Sequence, residues 1–148
     1  MSKLNDVLVK AANEIGYQEK PDNLTKFGEW YGTNGVAWCY IFVSWVLINS
    51  GVKVAKCAYV PDGYNYYKKI GQLYSTPKAG DLAFFCWDGG KIPEHIGFVE
   101  RVLPDGSLQT IEGNTSKPNT NGSQSNGDGV YRKIRHLSNC LGFGRPQY

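Results

Sequence analysis

Residues Ala37–Ser50, AWCYIFVSWVLINS, are apolar almost all the way round a helical projection. They lie between the turn signal Asn34-Gly35 and the helix-stop signal Gly51. A helix with no polar face has to be buried on all sides, so this segment is expected to be a central helix. Upstream, Leu4, Val7, Leu8, Ala11, Ala12 and Ile15 recur at three- and four-residue steps until Gly16, which predicts an amphipathic helix. A second short helix is expected within Asn23–Tyr31 and another from Pro61-Asp62-Gly63 onward. Downstream the period changes. Asp81–Trp87, His95–Val102, Ser107–Ile111 and Val130–Ile134 read as strands, and Leu103-Pro104-Asp105-Gly106 reads as a hairpin turn between the second and third of them. Helices first and consecutive antiparallel strands afterwards predict an α+β fold, with N-terminal helices packed on an antiparallel β-sheet. Gly113–Gly129 holds no apolar residue and is expected to be a long surface loop.

The chain has 148 residues, the size of one domain, so residues 1–148 are read as a single unit. Hydrophobic residues make up 41% and charged residues 20%, a composition for a globular rather than a disordered chain. The net charge is +3, carried by scattered lysines of the first half, and it indicates no nucleic-acid partner. The most apolar stretch, Val36–Ile48, is too short to span a bilayer, so no membrane insertion is expected. Lys3, Asp6, Lys10 and Glu14 interrupt the N-terminal apolar residues, leaving no secretory core. Cys39, Cys57, Cys86 and Cys140 form no CxxC or Cys/His cluster, which argues against zinc, and the lack of a signal favours free thiols.

Cys39 stands out on chemistry. About one turn into the central helix a thiol meets unsatisfied N–H groups and the positive end of the helix dipole, which favour the thiolate. The same N–H groups suit an oxyanion formed in acyl transfer. The competing reading is a cysteine that merely packs. A nucleophile needs a base, and the chain has two histidines. His95 opens a strand after a flexible loop, whereas His136 sits among Arg132, Lys133 and Arg135, where an imidazolium is disfavoured; His95 is the better base. Glu112 and Asn114, two residues apart on a strand end, point to one side and offer acceptors to orient the imidazole. Both residues also suit a turn entering a loop. Trp38 and Trp87, with Tyr64, Tyr66 and Tyr67, are candidate groove walls for a glycan or peptide, against a core-packing alternative.

Trp38-Cys39 with Phe42-Val43-Ser44-Trp45, then Gly80-Asp81-Leu82-Ala83-Phe84-Phe85, His95-Ile96-Gly97-Phe98-Val99 and Ile111-Glu112-Gly113-Asn114-Thr115-Ser116 closely resemble the CHAP family. Its members are cysteine, histidine-dependent amidohydrolases/peptidases that cut bacterial peptidoglycan. Thr25–Gly32 and Gly142–Pro146 also look like its members. The resemblance implies a papain-like fold and an endolysin-like peptidoglycan hydrolase. It makes Cys39 the nucleophile, His95 the base and then acid, Glu112 the residue that orients the ring, and Asn114 an accessory polar residue. It implies bacterial peptidoglycan as the partner, cleaved as an N-acetylmuramoyl-L-alanine amidase or as an endopeptidase; no wall-binding domain is recognisable beside the catalytic residues, so targeting is left to a separate domain or subunit, or to none. Some members carry a calcium loop of acidic residues before the cysteine; Trp30, Gly32, Asn34 and Val36 offer no carboxylate there, so neither metal nor cofactor is expected. The absence of a signal peptide would fit a phage-type enzyme held in the host bacterial cytoplasm until released to the wall. The competing functions are a wall-binding module with idle residues, a papain-like enzyme on another target, and a virion- or conjugation-associated wall-remodelling domain.

Overall fold

The helix over Cys39–Asn49 (α3) has no solvent face along most of its length: Ile41, Phe42 and Val43 are fully buried and Leu47 nearly so. In the computed structural model, which describes residues 3–148, α3 is the element around which the others pack. Helix α1 (Lys3–Ala12) turns Val7 and Ala11 onto it, and α2 (Lys26–Tyr31) adds Phe27. The ring of Phe27 stacks on Trp38 at 5.7 Å and meets Phe42 and Trp45 edge-on at 5.2 and 5.0 Å. Helix α4 (Val60–Lys69), with Pro61 in its first turn, packs Tyr67 against Phe84.

The strands are β1 (Leu73–Tyr74), β2 (Leu82–Phe85), β3 (His95–Val102), β4 (Leu108–Thr115), β5 (Gly129–Arg135) and β6 (Cys140–Gly144). They form one antiparallel sheet in the order β1-β6-β2-β3-β4-β5. The expected α+β class and the helices-then-strands layout are what the chain adopts. The β3–β4 hairpin closes as the sequence predicts, with the Gly106 N–H donating to Leu103 O at 2.9 Å and Asp105 accepting from the Ser107 N–H at 2.9 Å. Beyond β5, residues 16–19 cover the sheet edge: the Gly16 N–H donates to Val130 O and the Val130 N–H to Tyr17 O, each at 2.9 Å. Such cover removes an open edge that could pair with another chain.

Three expectations are corrected. Cys39 is the first residue of α3 rather than one turn inside it. Strands β1 and β6 have no counterpart in the pattern reading. Strand β6 carries two glycines because neighbours press on it: a Cβ at Gly144 would lie 2.8 Å from Tyr67 and 3.0 Å from Phe84. The polar segment is also shorter than its composition suggests, since β4 continues to Thr115, and Asn114, Thr115 and Ser116 are buried. Thr115 and Ser116 are tolerated there because their groups are bonded: Thr115 Oγ1 donates to Gln124 O at 2.8 Å, and Lys133 Nζ donates to Ser116 O at 2.7 Å. No helix among the described residues is long and apolar enough to cross a membrane.

Candidate active site

The turn before α3 fixes where the cysteine stands. Thr25 caps α2, its hydroxyl accepting from the Gly28 N–H at 2.9 Å, and Gly32 ends that helix at φ +98. Asn34 Oδ1 then accepts from the N–H groups of Thr25 and Gly35, both at 3.0 Å. The chain leaves this turn through Trp38, whose side chain makes no cap, so α3 begins at Cys39 with N-terminal N–H groups that the N-cap side chain does not bond.

The alternation of β3 sends Ile96 and Phe98 into the main core and His95 to the other face, beside Phe85. The imidazole is fully buried and stacks on the Phe85 ring at 5.9 Å. Its Nε2 lies 2.8 Å from Glu112 Oε1. Nδ1 has no hydrogen-bond partner and is the ring nitrogen left for the neighbouring Cys39 side chain. Burial alone would lower the imidazole's pKa, but the neighbouring Cys39 and the Glu112 bond, with their negative charge, push it up to about 9.

Glu112 is also fully buried, and both of its oxygens are satisfied. Oε1 meets His95 Nε2 and accepts from Arg135 Nη2 at 2.6 Å; Oε2 accepts from Arg135 Nε at 2.8 Å and from the Thr110 hydroxyl at 2.5 Å. Burial would raise the carboxyl's pKa, yet the Arg135 and His95 bonds hold it down at about 2. A buried imidazolium–carboxylate pair next to a thiol can keep a thiolate, and it supplies a proton donor for a leaving group.

Not every candidate joins this cluster. Asn114 is buried, but its φ of +56 breaks the alternation of β4 at a register shift. Its Nδ2 donates to Ser125 O at 3.4 Å and its Oδ1 has no partner, so it does not bond the imidazole as the spacing suggested. Trp38 is not a groove wall: it is fully buried, and its indole N–H donates to Glu19 Oε1 at 2.8 Å. Trp87 does reach the site, half-buried, with its ring stacked on Phe85 at 5.2 Å and 6.0 Å from the His95 ring. Tyr64 and Tyr67 pack on Phe84, while Tyr66 is exposed on α4. His136 is exposed at the end of β5.

The other cysteines are unpaired and held as thiols. Burial raises the pKa of Cys57 and takes that of Cys140 up to about 12; a hydrogen bond to Asp88 raises that of Cys86. Among the described residues, Cys86, Asp88 and Glu94 offer metal-type atoms within 4.8 Å of one another. Their own turn already uses these atoms: Asp88 Oδ1 accepts from Cys86 Sγ and the Gly90 N–H, and Glu94 Oε1 from the Trp87 N–H.

Arg135 and Thr110 are the members that pattern reading missed. The basic run Arg132–Arg135 was visible only as an environment hostile to His136. Pairing β5 antiparallel to β4 would have put Arg135 opposite Leu108 and on the face of Glu112.

A model of the CHAP domain matches residues 30–114, more than half of the chain. The chain belongs to the CHAP family. The match runs from the turn before Cys39 through His95 to Asn114. Among solved structures the CHAP chain is similar to the wild-type endolysin LysIME-EF1, at 20% identity and TM-score 0.58, over 100% of this chain and 66% of that one. It is also similar to an N-acetylmuramoyl-L-alanine amidase from Staphylococcus aureus, at 17% identity and TM-score 0.55, over 77% of this chain and 31% of that one. A lipoprotein-like NLP/P60 family protein from Staphylococcus aureus follows, at 14% identity and TM-score 0.52, over 99% of this chain and 42% of that one. Comparison with curated proteins finds no match. These likenesses confirm the papain-like arrangement of helices on an antiparallel sheet, and the chain spans less than two thirds of each of these proteins.

One glycine of this CHAP domain makes room for the polar cluster. A Cβ on Gly97 would collide with Cγ of Glu112 and lie 3.3 Å from its Cδ. Gly97→Ala is expected to push the carboxylate off the imidazole, lowering kcat about tenfold or more with little change in KM. Steady-state kinetics on a soluble amide substrate checks this; an unchanged kcat would show that the carboxylate tolerates displacement.

Proposed function

We propose that this CHAP domain hydrolyses an amide bond of bacterial peptidoglycan through a thioester on Cys39. The observation that carries the reading is the buried series from Cys39 through His95 to Glu112, with its nucleophile at the first position of an N-terminally open helix. The Cys39 thiolate attacks the carbonyl carbon of a stem-peptide or cross-bridge amide. The N–H groups at the start of α3 stabilise the oxyanion, and His95 gives its proton to the leaving amine. Water deprotonated by His95 then adds to the thioester, releasing a carboxylate and restoring the thiolate–imidazolium pair. Glu112 holds the ring throughout, and Trp87 supplies an aromatic wall beside it. The endolysin and amidase folds it resembles support this substrate class.

Incubation with purified peptidoglycan tests the reading. Expected are loss of turbidity, new free amino groups and no new reducing ends, with mass spectrometry of the products telling amidase from endopeptidase cleavage. Absence of amine release from every wall tested, alongside alkylation of Cys39, would move the activity to amides of another origin. The pH profile gives a further expectation. His95 must carry its proton to expel the amine, and that proton is held up to about pH 9. The alkaline limb of kcat/KM is therefore expected near pH 9, and in Glu112→Gln, which loses the supporting charge, about one unit lower. An alkaline limb near the free-histidine value of 6.5 in the parent would contradict the buried pair.

A further inference from the structure

Strand β5 brings a buried guanidinium to the back of the Cys39–His95–Glu112 series. Arg135 is 7% exposed and grips both oxygens of Glu112, with Nη2 on Oε1 and Nε on Oε2. Its remaining donors reach outward: Nη1 donates to Gln124 Oε1 at 2.8 Å, and Nη2 lies 3.4 Å from Thr115 Oγ1. Its Cζ lies over the Trp87 ring, 4.7 Å from the centroid, and 5.6 Å from that of Phe85. A fork bonded on two edges and set over an aromatic ring is held in one orientation, so it fixes the carboxylate more tightly than a point charge can.

We propose that Arg135 is a positioning residue that holds the Glu112 carboxylate ionised and aimed at His95, and through Gln124 ties that geometry to the loop 116–128. The inference rests on the reading of Cys39 and His95 as the reacting pair. Around this pair α3 contributes Cys39, β4 contributes Glu112, β5 contributes Arg135 and Lys133, and β6 contributes Cys140. Lys133 is directed to Ser116 O, and Cys140 keeps its proton, so the charge that balances Glu112 from behind is that of Arg135. Without it, only the bond and charge of His95 oppose burial, and Glu112 takes up a proton at a higher pH.

Alkylation of Cys39 by iodoacetamide, followed by peptide mass spectrometry from pH 4 to pH 9, tests this without any wall substrate. A failure of the peptidoglycan reading therefore leaves the test intact. In Arg135→Gln the acid limb of the alkylation rate is expected to move up by about one pH unit, a tenfold slowing at a fixed pH on the limb. In a Glu112→Gln background the same substitution is expected to change the rate by less than about twofold, since the residue through which it acts is gone. A purely structural role would lower thermal stability and leave the limb in place. Superimposable limbs, or an equal slowing in both backgrounds, would overturn the assignment. Should Arg135→Gln not fold by circular dichroism, Arg135→Lys is read in the same way. It keeps the charge but cannot hold two oxygens, so it is expected to slow alkylation in the parent and not in Glu112→Gln; slowing in both, or in neither, overturns the proposal.

Discussion

Cys39→Ala is expected to reduce peptidoglycan digestion by at least about a thousandfold while the domain stays folded. The size follows from the absence of a substitute: Cys57, Cys86 and Cys140 all have raised pKa values, and none adjoins the imidazole. Only the water route aided by the helix N-terminus and His95 would remain. The fold should survive because the alanine occupies the same first helical turn and loses only a sulfur from a packed position, a change worth about 1 kcal/mol. Cys39→Ser is expected to fall almost as far, since a hydroxyl does not ionise beside an imidazole as a thiol does. Turbidity and amine-release assays, with circular dichroism as the folding control, check the result. Undiminished digestion by Cys39→Ala would remove the nucleophile from the proposed mechanism.

Much of this site was legible in the sequence because its members differ in kind from their surroundings. Cys39 opens an otherwise apolar helix, His95 heads a strand after a glycine-rich loop, and Glu112 interrupts apolar alternation. Helix and strand periods alone yield the α+β layout, since α3 has no polar face and β3 runs over the very residues, His95–Val102, that the pattern marks. What stayed hidden depends on pairing partners that period cannot supply. Arg135 belongs to the site only because β5 lies against β4. Strand β6 escaped notice because Gly142 and Gly144 are there to admit Leu73, Tyr67 and Phe84, a requirement set by neighbours distant in sequence. Trp38 misled for a related reason: adjacency to Cys39 suggested a groove, while the non-helical turn before α3 directs the indole to Phe27 and Glu19. Asn114 misled because one residue at positive φ is enough to undo the two-residue period.

Glu112→Ala is expected to damage both stability and activity, and the pH dependence of the two should separate the causes. Removing the carboxylate leaves Arg135 charged, buried and without its main partner, a loss of about 3–5 kcal/mol. Glu112→Gln keeps an acceptor for His95 and should lose less stability, yet it no longer supports an imidazolium, so kcat should fall about a hundredfold in either variant. The stability difference from the parent has a defined window. Glu112 has its pKa lowered on folding from 4.5 to about 2, so its contribution is complete above pH 4.5 and fades as the pH falls toward 2. His95 has its pKa raised from 6.5 to about 9, so its contribution is complete below pH 6.5 and fades as the pH rises toward 9. His95 keeps the part of its shift owed to Cys39, so the gap in unfolding free energy between the parent and Glu112→Ala should be widest between about pH 4.5 and 8 and narrow on both sides. Urea denaturation across that range measures it. A gap that stays constant from pH 3 to pH 9 would mean that the pair contributes by packing and not by charge, and the thiolate would then need support from a source other than this carboxylate.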